Sequence, residues 1–307
     1  MLALAMIIDA ILGEPKALWD RVPHPVVLMG RLITILEEGL NSGPLRHAKG
    51  VLALLILILV CGAPALFLSI SLFQGVFEVV IAAILLSQRS LIDHVGAVAK
   101  GLSRSLEEGR SAVAQIVGRD VQTLDQQGVA RAAIESGAEN FSDGVVAPAF
   151  WFLLLGLPGI VVYKAINTAD SMIGHRSDRY REFGWAAARL DDLVNLIPAR
   201  LAGFLICAAG GGKAAAEIMM RDAWLHRSPN AGWPEAAMAA SLGIRLAGPR
   251  VYDGALTDDP WLNAIADRPV TAKDIEASVT ILWKAWVMLL AVAAVLGGFW
   301  LLLGFLF

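Results

Sequence analysis

Two runs of 23 residues, Val51 to Phe73 and Ala285 to Phe307, contain no Asp, Glu, Lys, Arg or His. As a helix rising 1.5 Å per residue, each is long enough to cross the hydrocarbon core of a bilayer. Hydrocarbon offers no partner for backbone N–H and C=O groups, and a helix satisfies them within itself. A mean hydropathy of +0.63, with 57% hydrophobic and 17% charged residues, lies outside the usual range for a soluble domain. A third span is expected at 75–92, although Glu78, Gln88 and Arg89 interrupt it. Residues 1–12 are apolar apart from Asp9, too short to cross unaided, and without the basic start or cleavage site of a removable signal.

Lysine and arginine orient these spans. Lys16, Arg21, Arg31, Arg46 and Lys49 precede the first, and Arg89, Lys100, Arg104 and Arg110 follow the second. Gln74-Gly75 between them and the stretch after Lys284 carry none. The positive-inside rule puts 13–50 and 93–144 in the cytoplasm, the hairpin tip and C-terminus outside. A single crossing by 145–166 would strand Lys164, Arg176, Arg179, Arg181 and Arg189 on the outer face, and Gly156-Leu157-Pro158-Gly159 interrupts it. A re-entrant hairpin satisfies both facts, and 193–211, broken by Asn195, Pro198 and Arg200, reads the same way.

The remaining segments read as helices and loops. Val95, Val98, Ala99, Leu102 and Leu106 repeat at amphipathic helical spacing within 93–118. Gln126 to Asn140 reads as a helix ended by a Ser142-Asp143-Gly144 turn, Lys213 to His226 as another, and 227–274 as an extended loop region. Trp283, Trp286 and Trp300 read as membrane-interface anchors. The expected architecture is an all-α integral membrane protein in one domain, 1–307. It has a few transmembrane helices, re-entrant or interfacial helices, and cytoplasmic helical loops.

Between Arg131 and Arg200, carboxylates, amides and arginines crowd against apolar sequence. Polar groups are expensive beside lipid and mark functional sites. Arg131, Glu135 and Glu139 fall on one helical stripe, with Asn140 and Asp143 after them. Oxygen ligands at this spacing suit Mg²⁺ and a nucleotide's phosphates, although a salt-bridge ladder uses the same residues. Asp191, Asp192 and Asn195 offer a second acidic set; a helix N-terminal pair is the plainer alternative. Asn167, Asp170 and Ser171, then His175, Arg176 and Arg179, supply donors and acceptors together, as a hydrogen-bonded loop also would. His226, Ser228 and Asn230 sit in a turn-rich run that could close over a substrate.

Other chemistries are excluded. A net charge of −3 and no basic stripe interleaved with aromatics argue against nucleic acid. Cys61 and Cys207 lack metal-ligand spacing and read as packing residues. Gly210-Gly211-Gly212-Lys213-Ala214 lacks the first glycine and the Ser/Thr of a P-loop.

Several segments together resemble one family. They are DAILGEP at 9–15, HPVVLMG at 24–30, RAAIESGAENFSDGVVAPAFW at 131–151 and GLPGIVVYKAINTADSMIG at 156–174. FGWAAARLDDLVNLIPARL at 183–201 and HRSPNAGWPEAAMAASLGIRLAGPRVYDG at 226–254 complete the set. In number, order and length they resemble the CobD/CbiB family of cobalamin biosynthesis, adenosylcobinamide-phosphate synthases. His175 stands where that family usually has Tyr.

The resemblance implies an inner-membrane enzyme whose active site faces the cytoplasm. It would join adenosylcobyric acid, an adenosylated corrinoid, to (R)-1-aminopropan-2-ol or its O-phosphate through an amide, using ATP and Mg²⁺. Later cobalamin-assembly enzymes are conceivable partners, and self-association is open. Residue roles follow from local chemistry. Glu135, Glu139, Asp143, Asp191 and Asp192 are assigned to metal. Arg131, Lys164, Arg176 and Arg189 are assigned to phosphate charge, and Asn140, Asn167, Asp170, Ser171, Asn195, Ser228 and Asn230 to nucleotide or substrate. His226 is assigned as proton acceptor, with Glu135 and Asp192 beside it in the chemistry. The competing readings are a non-enzymatic membrane regulator and a corrinoid-binding or transport protein; the DDLVN run also suggests a Mg²⁺-dependent transferase acting on a lipid pyrophosphate. No inverted repeat supports transport.

Overall fold

The structure, a computed structural model, describes residues 1–118, 120–252 and 255–306. Asp253, Gly254 and Phe307 of the segments above lie outside the described residues, as do the side chains of Lys16 and Trp300.

The chain is mainly α-helical and divides into two compact units whose segments interleave. The first unit comprises 1–87, 147–195 and 293–307. It contains α1 (Leu2–Leu12), α2 (Lys16–Trp19), α3 (Pro25–Leu40), α4 (Arg46–Ser69) and α5 (Gln74–Leu85). The second comprises 88–146 and 196–292, beginning with α6 (Gln88–Arg104), α7 (Leu106–Val113) and α8 (Gln126–Phe141). The chain returns to the first unit for α9 (Ala147–Ile173) and α10 (Trp185–Val194), then to the second for α11 (Leu196–Gly210), α12 (Gly212–Asp222) and α13 (Gly232–Leu242). The last helix, α14 (Ala272–Leu306), leaves the second unit at Val292.

Among the described residues four helical stretches are long and apolar enough to cross a membrane: Arg46–Ser69, Gln74–Arg104, Gln126–Ile173 and Ala272–Phe299. The pair Trp185–Val194 and Leu196–Gly210 makes a fifth if it counts as one span. On α4, Leu52, Leu55, Leu59, Val60, Leu66 and Phe67 stay exposed, an arrangement that water penalises and lipid accepts. This is an all-α membrane protein.

Several local expectations change. The 75–92 span becomes α5 and α6, separated at Leu86, whose backbone is extended. The 93–118 helix divides at Ser105, whose Oγ accepts from Glu108 N–H and caps α7. Ser142–Val146 forms a π-helical turn that leads directly into α9, in place of the expected break. Lys213–His226 resolves into α12 and a 3₁₀ turn, Ala223–Leu225. The 227–274 region holds α13 and short antiparallel strand pairs, including β1 (Leu246–Ala247) with β4 (Trp261–Leu262) and β2 (Arg250–Tyr252) with β3 (Ala255–Thr257). Pro234 lies in the first turn of α13, where a missing N–H costs nothing, and Ala236, Ala237 and Ala239 are fully buried. Trp286 is buried against Trp283 and is no interface anchor.

The break inside 145–166 falls at Gly156, with φ 62° and ψ −148°, a conformation closed to other residues. The break inside 193–211 falls at Asn195 alone; Pro198 and Arg200 are helical in α11. In the first unit α4 packs on α9 and α3, and Gly50 lets α4 approach the Phe183 carbonyl. In the second unit α13 packs against α8, α11 and α12 around Ile134, Ile206, Met219 and Met238.

Candidate functional site

Each unit carries its own cluster of functional side chains. In the first, α9 and α10 bring Asp191 to two amides. Asp191 Oδ1 accepts from Asn167 Nδ2 at 3.3 Å and Oδ2 from Asn195 Nδ2 at 3.0 Å. Tyr163 OH donates to Asn195 Oδ1 at 3.0 Å, which fixes the orientation of that amide. Asp191 and Asn195 are buried, while Asp192 is half-buried, with Arg189 3.7 Å away. Asp170 lies close enough to act electrostatically on both Asp191 and Asp192. Gly174 makes room for Asp170: a Cβ there would sit 2.0 Å from its Oδ1. Tyr163, Asn167 and Asp170 follow i, i+4, i+7, so one face of α9 presents all three.

Nearby polar groups serve local structure. Ser171 Oγ donates to Asn167 O, and Lys164 lies within electrostatic reach of His24. Burial pushes the His24 imidazole below its ordinary range, and its Nδ1 accepts from Val26 N–H at the start of α3. Arg176 is exposed in the segment between α9 and α10.

That segment is clasped to α3 and α4. Arg179 pairs with Glu37 through Nε at 2.9 Å and Nη2 at 2.6 Å, while Asn41 and Arg46 donate to the Arg179 carbonyl. The guanidinium holds the Glu37 carboxyl below the usual carboxylate range and is itself raised. A depressed acid stabilises the fold above its ordinary value near 4.5 and loses that contribution as pH falls through the lower folded value. Below pH 4.5 the wild-type melting temperature should therefore fall more steeply than that of Glu37→Gln; parallel curves would reject the clasp as a stabilising contact.

The second unit holds a pocket of about 170 Å³ lined by Glu139, His226, Arg227, Glu235, Asp259 and neighbouring apolar atoms. Glu235, in the first turn of α13, is buried, and its Oε1 lies 3.6 Å from His226 Nε2. Arg227 forms a bidentate pair with Asp259, which also accepts from Thr257 Oγ1. Glu135 turns inward from α8, where Oε1 accepts from the buried Ala247 N–H at 2.8 Å and supports a residue with φ 59°. The Arg131 guanidinium lies 5.6 Å from the Trp261 ring, with Arg245 4.7 Å from the same ring.

Of the other predicted residues, Asn140 donates to Ser136, and Asp143 lies half-buried in the π-helical turn. Ser228 Oγ accepts from the backbone of Asn230 and Ala231, and Asn230 Oδ1 accepts from Arg200 at 3.4 Å. Among the described residues, no three His, Cys, Asp or Glu side chains are arranged to hold a metal ion between them.

Sequence reasoning missed Tyr163, Arg227, Glu235 and Asp259. The helical register of Tyr163 with Asn167 was available. Arg227 and Glu235 lay within the quoted 226–254 segment; nothing in sequence ties Asp259 to Arg227.

Comparisons with known proteins reach across the same segments. The family described as CobD/Cbib protein matches residues 2–282. A cobalamin biosynthesis protein CobD of Sinorhizobium fredii is 50% identical over 312 residues, covering 96% of each chain. That of Rhizobium meliloti is 50% identical over 314 residues, covering 96% of this chain and 95% of its own. That of Rhodobacter capsulatus is 55% identical over 276 residues, covering 88% of each. No solved structure gave a significant match. With its motifs in order along the matched length, this chain belongs to the CobD/CbiB family.

Proposed function

We propose that this chain acts in cobalamin biosynthesis as an ATP- and Mg²⁺-dependent ligase of the inner membrane, working on the cytoplasmic side. It joins adenosylcobyric acid to (R)-1-aminopropan-2-ol or its O-phosphate. The observation that carries the reading is identity at half of all positions, over 96% of the chain, to proteins named for cobalamin biosynthesis.

A carboxylate does not condense with an amine unaided. Phosphorylation by ATP turns it into an acyl phosphate, and the amine then displaces phosphate. The residues fit Mg²⁺ in its nucleotide-bound mode, which takes one or two carboxylates and leaves the other positions to phosphate and water. Asp191 and Asp192, beside Asp170, are the carboxylates for it. Bound there, the ion would neutralise phosphate charge. Asn167, Asn195 and Tyr163 hold Asp191 in place, while Arg189 and Arg176 supply cations. Glu135 supports Ala247 through Oε1.

The test is purified protein with ATP, Mg²⁺, adenosylcobyric acid and each amine, followed by mass spectrometry of the corrinoid. A new amide with equimolar ADP is expected. Neither product across a range of Mg²⁺ concentrations rejects the ligase reading.

A further inference from the structure

We infer that Arg200 binds the phosphate of an anionic phospholipid, with α11 lying along the bilayer boundary beside it. The inference lies outside the ligase reading and does not depend on it.

The guanidinium is incompletely matched. Arg179, Arg221, Arg227 and Arg268 each grip a carboxylate through two nitrogens. Arg200 is half-buried, and among the described residues it has no carboxylate partner. Its Nη1 donates to Leu196 O at 2.7 Å, with Asn230 Oδ1 at 3.4 Å and Pro229 O at 3.5 Å. Among the described residues, Nε and Nη2 make no hydrogen bond. The guanidinium carbon lies 4.6 Å from the Trp233 ring centre and 5.6 Å from that of Trp224. Indole faces hold a cation without cancelling its charge. The Nε–Nη2 edge matches two phosphate oxygens in bidentate geometry.

The surroundings identify the phosphate's carrier as a lipid. Ile197, Leu201, Phe204 and Ala208 follow i, i+4, i+7, i+11, and all four are exposed. Arg200 borders this apolar stripe, and Trp224 and Leu225 extend the exposed apolar surface beyond it. Water penalises such a patch and acyl chains accept it.

The ends of α11 set its depth. Gly210 lies against α14, where a Cβ would sit 2.9 Å from Ile281 Cδ1. Ile281 is less than one turn before Lys284, the last charge ahead of the apolar run 285–307. Lys213 and Glu217, just beyond Gly210, are exposed and paired with each other. The C-terminal end of α11 therefore stays at the polar boundary. Arg200 and the polar 226–230 turn hold the other end there. The helix lies along the boundary with its stripe toward the acyl chains and Arg200 at headgroup depth. An exposed indole is favoured at that depth, and an unneutralised cation draws anionic lipid.

The full chain in phosphatidylcholine vesicles tests this, with brominated acyl chains on either phosphatidylglycerol or phosphatidylcholine. Quenching of Trp224 is read as the difference between wild type and Trp224→Phe. Brominated phosphatidylglycerol should quench it at a mole fraction about fivefold lower than brominated phosphatidylcholine. Arg200→Gln should lose that preference while Trp224 remains quenched by both lipids. Arg200→Lys, which keeps the charge without the fork, should retain part of it. Inorganic phosphate at matched ionic strength should leave the wild-type preference unchanged. Equal quenching by the two lipids in wild type, or no quenching by either, overturns the inference. So does an Arg200→Gln protein with the full preference. A preference abolished by inorganic phosphate also overturns it, by assigning Arg200 to a soluble anion. The wild-type comparison decides alone if Arg200→Gln fails to fold.

Discussion

Asp191→Asn should reduce amide synthesis by about 100-fold or more, the scale of losing a charge that faces a reacting phosphate. Its effect on stability should stay under about 1 kcal/mol, because the hydrogen-bond network can reorganise. With Tyr163 OH donating to its Oδ1, Asn195 keeps Nδ2 directed at residue 191. Asn167 is half-buried and free of that restraint, and by flipping it can accept from the new amide. Asp191→Ala behaves differently, leaving the buried Asn195 N–H without its acceptor at about 1–3 kcal/mol. Turnover measured beside melting temperature in detergent separates the cases. A fully active Asp191→Asn removes the carboxylate from the proposed mechanism and leaves the family assignment standing.

Gly184→Ala should be the most damaging small substitution among those considered. A Cβ there would meet the Ile173 carbonyl at 1.6 Å and the Tyr180 carbonyl at 3.1 Å. Both are backbone atoms, so no side-chain rotation relieves the overlap, and the segment between α9 and α10 has to move. We expect a loss of about 3 kcal/mol or more, the upper end of overpacking costs. Gly96→Ala is the matched control: it lies inside α6 with nothing within 4 Å of the added carbon. Alanine there should stabilise by about 0.5–1 kcal/mol through the smaller backbone entropy lost on folding. Opposite shifts in melting temperature are the expected result, and a Gly184→Ala protein as stable as wild type would refute the packing described.

The long apolar stretches were legible because hydrocarbon length is a simple constraint and charge interrupts it visibly. The break at Gly156 was legible too, since Gly-Leu-Pro-Gly stands out within apolar sequence, whereas the second break was read at Asn195, Pro198 and Arg200 and only Asn195 interrupts the helix. The pairing of Asp191 with Asn195 follows from one helical turn of separation. Helix α13 was hidden because glycine and proline read as loop, although proline is harmless in a first turn. The stripe of Arg131, Glu135 and Glu139 misleads for a different reason. Most residues from Gly128 to Ala138 are buried, so position on a stripe does not decide which carboxylate reaches solvent. Glu135 meets Ala247 and Glu139 meets the pocket. Arg227 and Asp259 are brought together by chain reversals that no local period records.

The interleaving of the two units constrains how the protein can be made and divided. The chain passes from one unit to the other at 87, 146, 195 and 292, so no single cut releases either of them whole. During synthesis α3, α4 and α5 emerge well before α9, on which all three pack, and at about 5–20 residues per second they wait for several seconds. Their apolar faces need lipid or an insertion factor throughout that interval, and a fragment ending near residue 146 should remain prone to degradation even where its helices have inserted.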